Sequence, residues 1–95
     1  MVIKRSDQFK LELSIILENI AKDKISAMSR FRKELNIQIK NISNMPYKYR
    51  QSYYHSDKNV RDMIYKGYTI IYKVYDNYIK IVEIFNQNLP EIERQ

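Results

Sequence analysis

Residues 59–85 read NVRDMIYKGYTIIYKVYDNYIKIVEIF. The stretch divides into three short runs rich in β-branched and aromatic residues, the composition of strands. The only glycine of the chain, Gly67, stands between the first and second runs, and Asp76-Asn77 between the second and third. Both are hairpin signals, since glycine takes positive φ freely and Asp and Asn tolerate left-handed conformations. In the second run Tyr68, Ile70, Tyr72 and Val74 alternate with Thr69, Ile71, Lys73 and Tyr75. Period two puts the more apolar set on one face, toward a covering layer. The third run, residues 78–85, alternates less cleanly. Simple alternation sets Ile79, Ile81 and Phe85 on one face and Val82 and Ile84 on the other. A strand apolar on both faces belongs inside its sheet.

The first half of the chain supplies the cover. Val2 and Ile3 open a short strand, expected at a sheet edge. Ser6 or Asp7 can cap a helix by offering a side-chain oxygen to an unpaired N–H. Phe9, Leu13, Ile16, Leu17 and Ile20 then recur at helical spacing. Asp23 is the expected cap of a second helix, in which Met28, Phe31, Leu35, Ile39 and Ile42 repeat the pattern, with Ile25 at its start. A break of a few residues makes the helices antiparallel neighbours. Pro46 ends the second, because it lacks an N–H and restricts the residue before it. Residues 43–57, SNMPYKYRQSYYHSD, are polar and aromatic, and hold either an edge strand or a loop. The expected fold class is α+β. A helical hairpin packs on one face of a small antiparallel sheet, in the order β-α-α-β-β-β.

Composition narrows the function. The 95 residues make one domain, 1–95. Without cysteine, disulfides and thiolate metal sites are excluded; with a single histidine, His55, so is a histidine-rich zinc site. No apolar run spans a bilayer, and residues 1–9 lack the apolar core of a secretory signal, so a cytoplasmic protein is expected. The net charge is +6. Between residues 40 and 61, five lysines and arginines (40, 48, 50, 58 and 61) stand against one acid, Asp57. Eight of the nine tyrosines fall between Tyr47 and Tyr75. A basic, aromatic segment fits nucleic acid or an acidic protein; equally, charge serves solubility and tyrosines pack sheets. Glu12, Glu18 and Glu34 fall on the polar sides of the helices, where a solvated face is the default. One glycine allows no phosphate-cradling loop.

The element order, the proline in Asn44-Met45-Pro46, the arginine in Asn59-Val60-Arg61 and the stretch Gly67-Tyr68-Thr69-Ile70-Ile71-Tyr72 together resemble the RelE/ParE superfamily of bacterial type II toxins. The resemblance covers nearly the whole chain. It implies an acidic antitoxin partner, no cofactor, and one of two mechanisms. RelE-like members cut mRNA in the ribosomal A site; ParE-like members poison DNA gyrase. The residues must decide between these, because fold cannot. RNA cleavage needs a base, an acid and cations around the phosphorane. RelE-like members commonly carry an arginine after the aromatic residue of the hairpin, where this chain has Thr69, and a basic cluster after the last strand, where it has Asn86-Gln87-Asn88. The closing residues 89–95 hold no tyrosine or histidine. The chain therefore resembles the ParE-like branch more closely.

Candidate site residues follow. His55, Arg61, Lys48 and Arg50 are the nuclease candidates, His55 because histidine is the side chain suited to acid–base work near neutral pH. A partner or nucleic-acid surface is expected at Lys48, Arg50, Lys58, Arg61, Lys73 and Lys80. The bland alternatives are an exposed His55, an Arg61 paired with Glu83, and solvated lysines. A third functional alternative is a non-toxic degenerate member that binds only antitoxin or nucleic acid.

Overall fold

The chain enters through strand β1 (Val2–Arg5), rises into helices α1 (Asp7–Asp23) and α2 (Ile25–Ile42), and then builds strands β2 (Arg50–Gln51), β3 (Val60–Tyr65), β4 (Tyr68–Val74) and β5 (Tyr78–Asn86). The structure, a computed structural model, describes residues 1–86. The fold class is α+β, as expected: a helical hairpin on one face of a five-stranded sheet ordered β1-β5-β4-β3-β2. The neighbours from β5 to β2 are antiparallel, whereas β1 lies parallel to β5, so the sheet is mixed. Residues 43–57 do contribute an edge strand, the two-residue β2.

Ser6 sets the direction of β1. Its N–H donates to Ile81 O at 2.9 Å and its hydroxyl to Val82 O at 2.6 Å. The same oxygen accepts from Phe9 N at 2.9 Å and so caps α1. Farther along α1, Glu12 Oε1 accepts from Ile84 N at 3.0 Å. The first turns of α1 therefore continue the hydrogen bonding of β5 beyond the end of β1. Glu12 is not on a solvated face, contrary to its helical position.

The core lies between helices and sheet. Phe9 and Leu13 of α1, and Phe31, Leu35, Ile39 and Ile42 of α2, meet Met63, Ile70, Tyr72, Val74, Ile79, Ile81 and Ile84. Truncating a fully buried member such as Leu35 would cost about 2–5 kcal/mol. Simple alternation fails in β5. Ile71 faces Glu83 and Tyr72 faces Ile81, so Val82 is an extra residue without an opposite number. Such a bulge shifts the parity of everything after it. Ile84 thus joins Ile79 and Ile81 toward the helices. Phe85 turns to the other face, with Val60, Ile71 and half-buried Val82.

The turns differ from each other. Lys66 (φ 47°) and Gly67 (φ 83°) both take positive φ, the signature of a tight hairpin of primed type. Asp76 and Asn77 do not take positive φ; their turn closes through Tyr75 N donating to Tyr78 O at 2.9 Å. The helices abut with only Lys24 between them. Its N–H closes α1 on Ile20 O (3.1 Å) and its carbonyl accepts from Met28 N (3.2 Å). Asp23 consequently ends α1 instead of capping α2, and Ile25 is exposed. Glu34 also departs from its expected solvated role. It accepts from Tyr65 Oη at 2.7 Å and Lys66 Nζ at 3.0 Å, tying α2 to the β3–β4 turn.

Two outcomes follow for stability. Glu12→Ala leaves the Ile84 N–H without its acceptor and should destabilise the fold by about 1–3 kcal/mol in urea titration, whereas Glu18→Ala should fall within about 0.5 kcal/mol of the parent. The hydrogen bond from Tyr65, then that from Lys66, holds the Glu34 carboxyl below its ordinary range. A depressed carboxyl stabilises the fold above the unfolded value, about pH 4.3, and loses that contribution as pH falls through the folded one. Glu34→Gln should therefore be less stable than the parent at pH 7, and the difference should close in acid.

Candidate functional site

The basic, aromatic segment forms a loop from the end of α2 to β3, fastened at several points. Tyr72, buried in β4, donates its hydroxyl to Pro46 O at 2.6 Å. Burial pushes this phenol well above its ordinary range, so it stays neutral. Tyr47 Oη donates to Asn59 Oδ1 at 2.9 Å, and Ser52 N to Val60 O at 2.8 Å. On the helix-free face Tyr54 meets Phe85 edge-on at 5.2 Å, covering the small second core.

Two candidate cations are committed to holding this loop. Arg61 donates from Nε to Lys58 O at 3.0 Å and from a terminal nitrogen to Tyr49 O at 3.1 Å. Its guanidinium lies 4.8 Å from the Tyr47 ring centre. It clamps Tyr49 to Lys58 through their carbonyl oxygens, a role its sequence position does not disclose. Arg50 sits 3.8 Å over the Tyr53 ring and reaches Asp62 Oδ2 at 3.4 Å. Asp62 is the group that sequence reasoning missed. Its side chain is fully buried, Oδ2 also accepts from Tyr53 N at 3.1 Å, and Oδ1 has no hydrogen-bond partner among the described residues. Register shows why: Asp62 lies opposite buried Ile71 on the face that Tyr54 and its neighbours cover. A polar residue in a strand that alternates toward solvent gives no such warning.

The other candidates divide. Lys73 meets Asp57 at 3.1 Å, half-exposed. That hydrogen bond raises the Lys73 ammonium above its ordinary range; the Asn59 N–H, then Lys73, lowers Asp57. Lys48, Lys58 and Lys80 are exposed, with no ion pair among the described residues. His55 is exposed on the loop, and no hydrogen bond among the described residues orients it. Thr69 is fully buried, facing Phe85 across β4–β5. Asn86 is half-buried at the end of β5; Gln87, Asn88 and the closing residues 89–95 lie outside the described residues. A second feature is an open groove of about 370 Å³ beside α1, lined by Ile15, Ile16, Tyr68, Ile84 and Phe85 with Glu12 at its side. No group of three metal-ligating side chains occurs among the described residues, and none of their helices is long and apolar enough to cross a membrane.

Arg61→Ala should destabilise the fold by about 2 kcal/mol through its lost carbonyl bonds, while Lys58→Ala, at an exposed cation with no ion pair among the described residues, should change it by less than about 0.5 kcal/mol. Urea titration of both variants separates a structural Arg61 from a purely surface one.

Comparison with known proteins agrees with this architecture. A solved structure described as a chromosomal ParDE TA system from P. aeruginosa superposes with a TM-score of 0.76 at 15% identity, covering 90% of this chain and 95% of that one. At that identity the likeness is one of fold. No curated protein matches the chain. The model of the family described as the ParE toxin of the type II toxin–antitoxin system parDE matches residues 3–88. With nearly its whole length matched, the chain belongs to the ParE toxin family of type II toxin–antitoxin systems.

Proposed function

We propose that this toxin arrests growth by protein–protein contact with a cytoplasmic target, DNA gyrase being the target that the ParE-like resemblance implies, and that it does not cut RNA. One observation carries the reading: the loop that would have to supply nuclease chemistry spends its arginines on holding itself together. Arg61 is occupied by two carbonyls and Arg50 by Asp62. Thr69, at the position where an arginine would serve cleavage, is buried and uncharged. His55 has no hydrogen-bond partner among the described residues to orient it, and the buried Tyr72 hydroxyl is bound to Pro46 O. Among the described residues a base, an acid and phosphate-facing cations are thus not assembled in reach of one another.

The family supplies an antitoxin partner. We assign it an acidic segment that orders on binding and covers part of the basic surface. The apolar groove beside α1 and the open sheet edges are its docking places.

Induced expression should stop growth, and co-expression with the cognate acidic antitoxin should restore it. Purified toxin should make gyrase accumulate linear DNA from supercoiled plasmid. Primer extension on translated mRNA should show no new ends. Cuts at A-site codons that vanish in His55→Ala would establish the ribosome-dependent nuclease instead; tight antitoxin binding without growth arrest would mark a non-toxic member.

A further inference from the structure

The helix-free face of the sheet has two halves. One carries Val60, Ile71 and Phe85 and is covered by the loop through Tyr54. The other carries lysines in a line. Lys4 of β1 lies opposite Lys80 of β5, and Lys80 opposite Lys73 of β4. The three occupy directly adjacent cross-strand positions, and Lys73 lies opposite Val60, which fixes the row to the helix-free face. Adjacent strands are about 4.8 Å apart, so the row is about 10 Å long. Like charges directly opposite each other destabilise a sheet. Lysine on an edge strand guards against strand pairing, but β5 and β4 are inner strands, so edge protection does not account for Lys80 and Lys73.

Two tyrosines reinforce the row. Tyr75 and Tyr78 stack at 4.5 Å with their planes 9° apart. Lys4 lies 4.4 Å over the Tyr78 ring and Lys73 lies 5.1 Å from the centre of Tyr75. The pair holds two of the ammonium groups in place. Asp57 holds Lys73 as well, at 3.1 Å. With lysines on both tyrosines and the rings stacked on each other, this pair offers no free ring platform to nucleic-acid bases, which single-strand binders require. The surface presents point charges to a row of anions.

We propose that this face docks an acidic helix of a partner protein, lying across β1, β5 and β4 with a stripe of carboxylates over Lys4, Lys80 and Lys73. The lengths match: carboxylates at i, i+4 and i+7 of a helix span about 10 Å. The assignment rests on the toxin–antitoxin reading, which supplies an acidic partner, and it gives that partner a second contact away from the groove beside α1.

The test uses the intact protein and a synthetic alanine-based helix of about 15 residues with glutamate at i, i+4 and i+7. A control peptide has the same composition with its glutamates spread around the helix. At low salt the striped peptide should bind about tenfold more tightly than the control. The triple variant Lys4→Gln, Lys73→Gln, Lys80→Gln should lose that binding about tenfold, yet keep the parent's circular dichroism spectrum at about 25 °C, since the three side chains lie outside the core. The triple variant Lys10→Gln, Lys22→Gln, Lys24→Gln removes the same charge from α1 and the interhelix residue and should bind unchanged. Equal affinity for both peptides, equal losses in both variants, or a preference for a short DNA duplex over the striped peptide would overturn the proposal. If the cognate antitoxin rescues growth and binds the row variant undiminished, the docking face is wrong while the toxin–antitoxin reading stands. Peptide binding by the row without any antitoxin rescue would sink that reading and leave the face.

Discussion

Strand β5 runs nine residues, but its neighbour β1 only four. Were the remaining edge left to solvent, the middle of the sheet would offer unpaired N–H and C=O groups directly beneath a helix, where water is excluded. Ser6 and Glu12 remove the problem by taking over the bonding at Ile81, Val82 and Ile84. This fixes where α1 starts, how it lies along the sheet, and which residues it buries. Phe9 and Leu13 then face inward, and α2 follows with only Lys24 as connector. The groove beside α1 is a by-product of the same arrangement, for Glu12 stands at its side.

Much of this was legible in the residues. Helical spacing identified both apolar stripes, and the alternation of Tyr68, Ile70, Tyr72 and Val74 identified the helix-facing side of β4. What was not legible shares one cause: it depends on residues far apart in the chain. The bulge at Val82 is invisible to a count of alternation, because it arises from β5 matching β4 and not from its own sequence. The roles of Glu12 and Glu34 require knowing what the opposite element brings near. The parallel pairing of β1 joins residues more than seventy positions apart, for instance Val2 and Tyr78.

The site shows the same division. Charge composition located the basic loop, and the structure distributes its cations among different tasks. Arg61 and Arg50 stabilise the loop internally; Lys48 and Lys58 remain available at its surface; Lys73 and Lys80 belong to the sheet. Asp62 gave no sign of itself, since a lone acid in a strand reads as a solvent-facing residue. It is buried where Tyr53 N and Arg50 close on it from residues some ten positions earlier, which no local pattern encodes. The absences read more easily than the presences: Thr69 lacks charge whatever its surroundings, and the structure adds that it is buried.

The pairing of β1 with β5 also sets a schedule. During synthesis β1 emerges more than seventy residues before the strand it pairs with, so local hairpins can form long before the sheet acquires its full width. Ser6, whose partners are Ile81 and Val82, cannot finish anchoring α1 until then. A chain cut short after β4 therefore forfeits two strands and the helix anchor together. A toxin built this way completes its sheet only after β5 has been made.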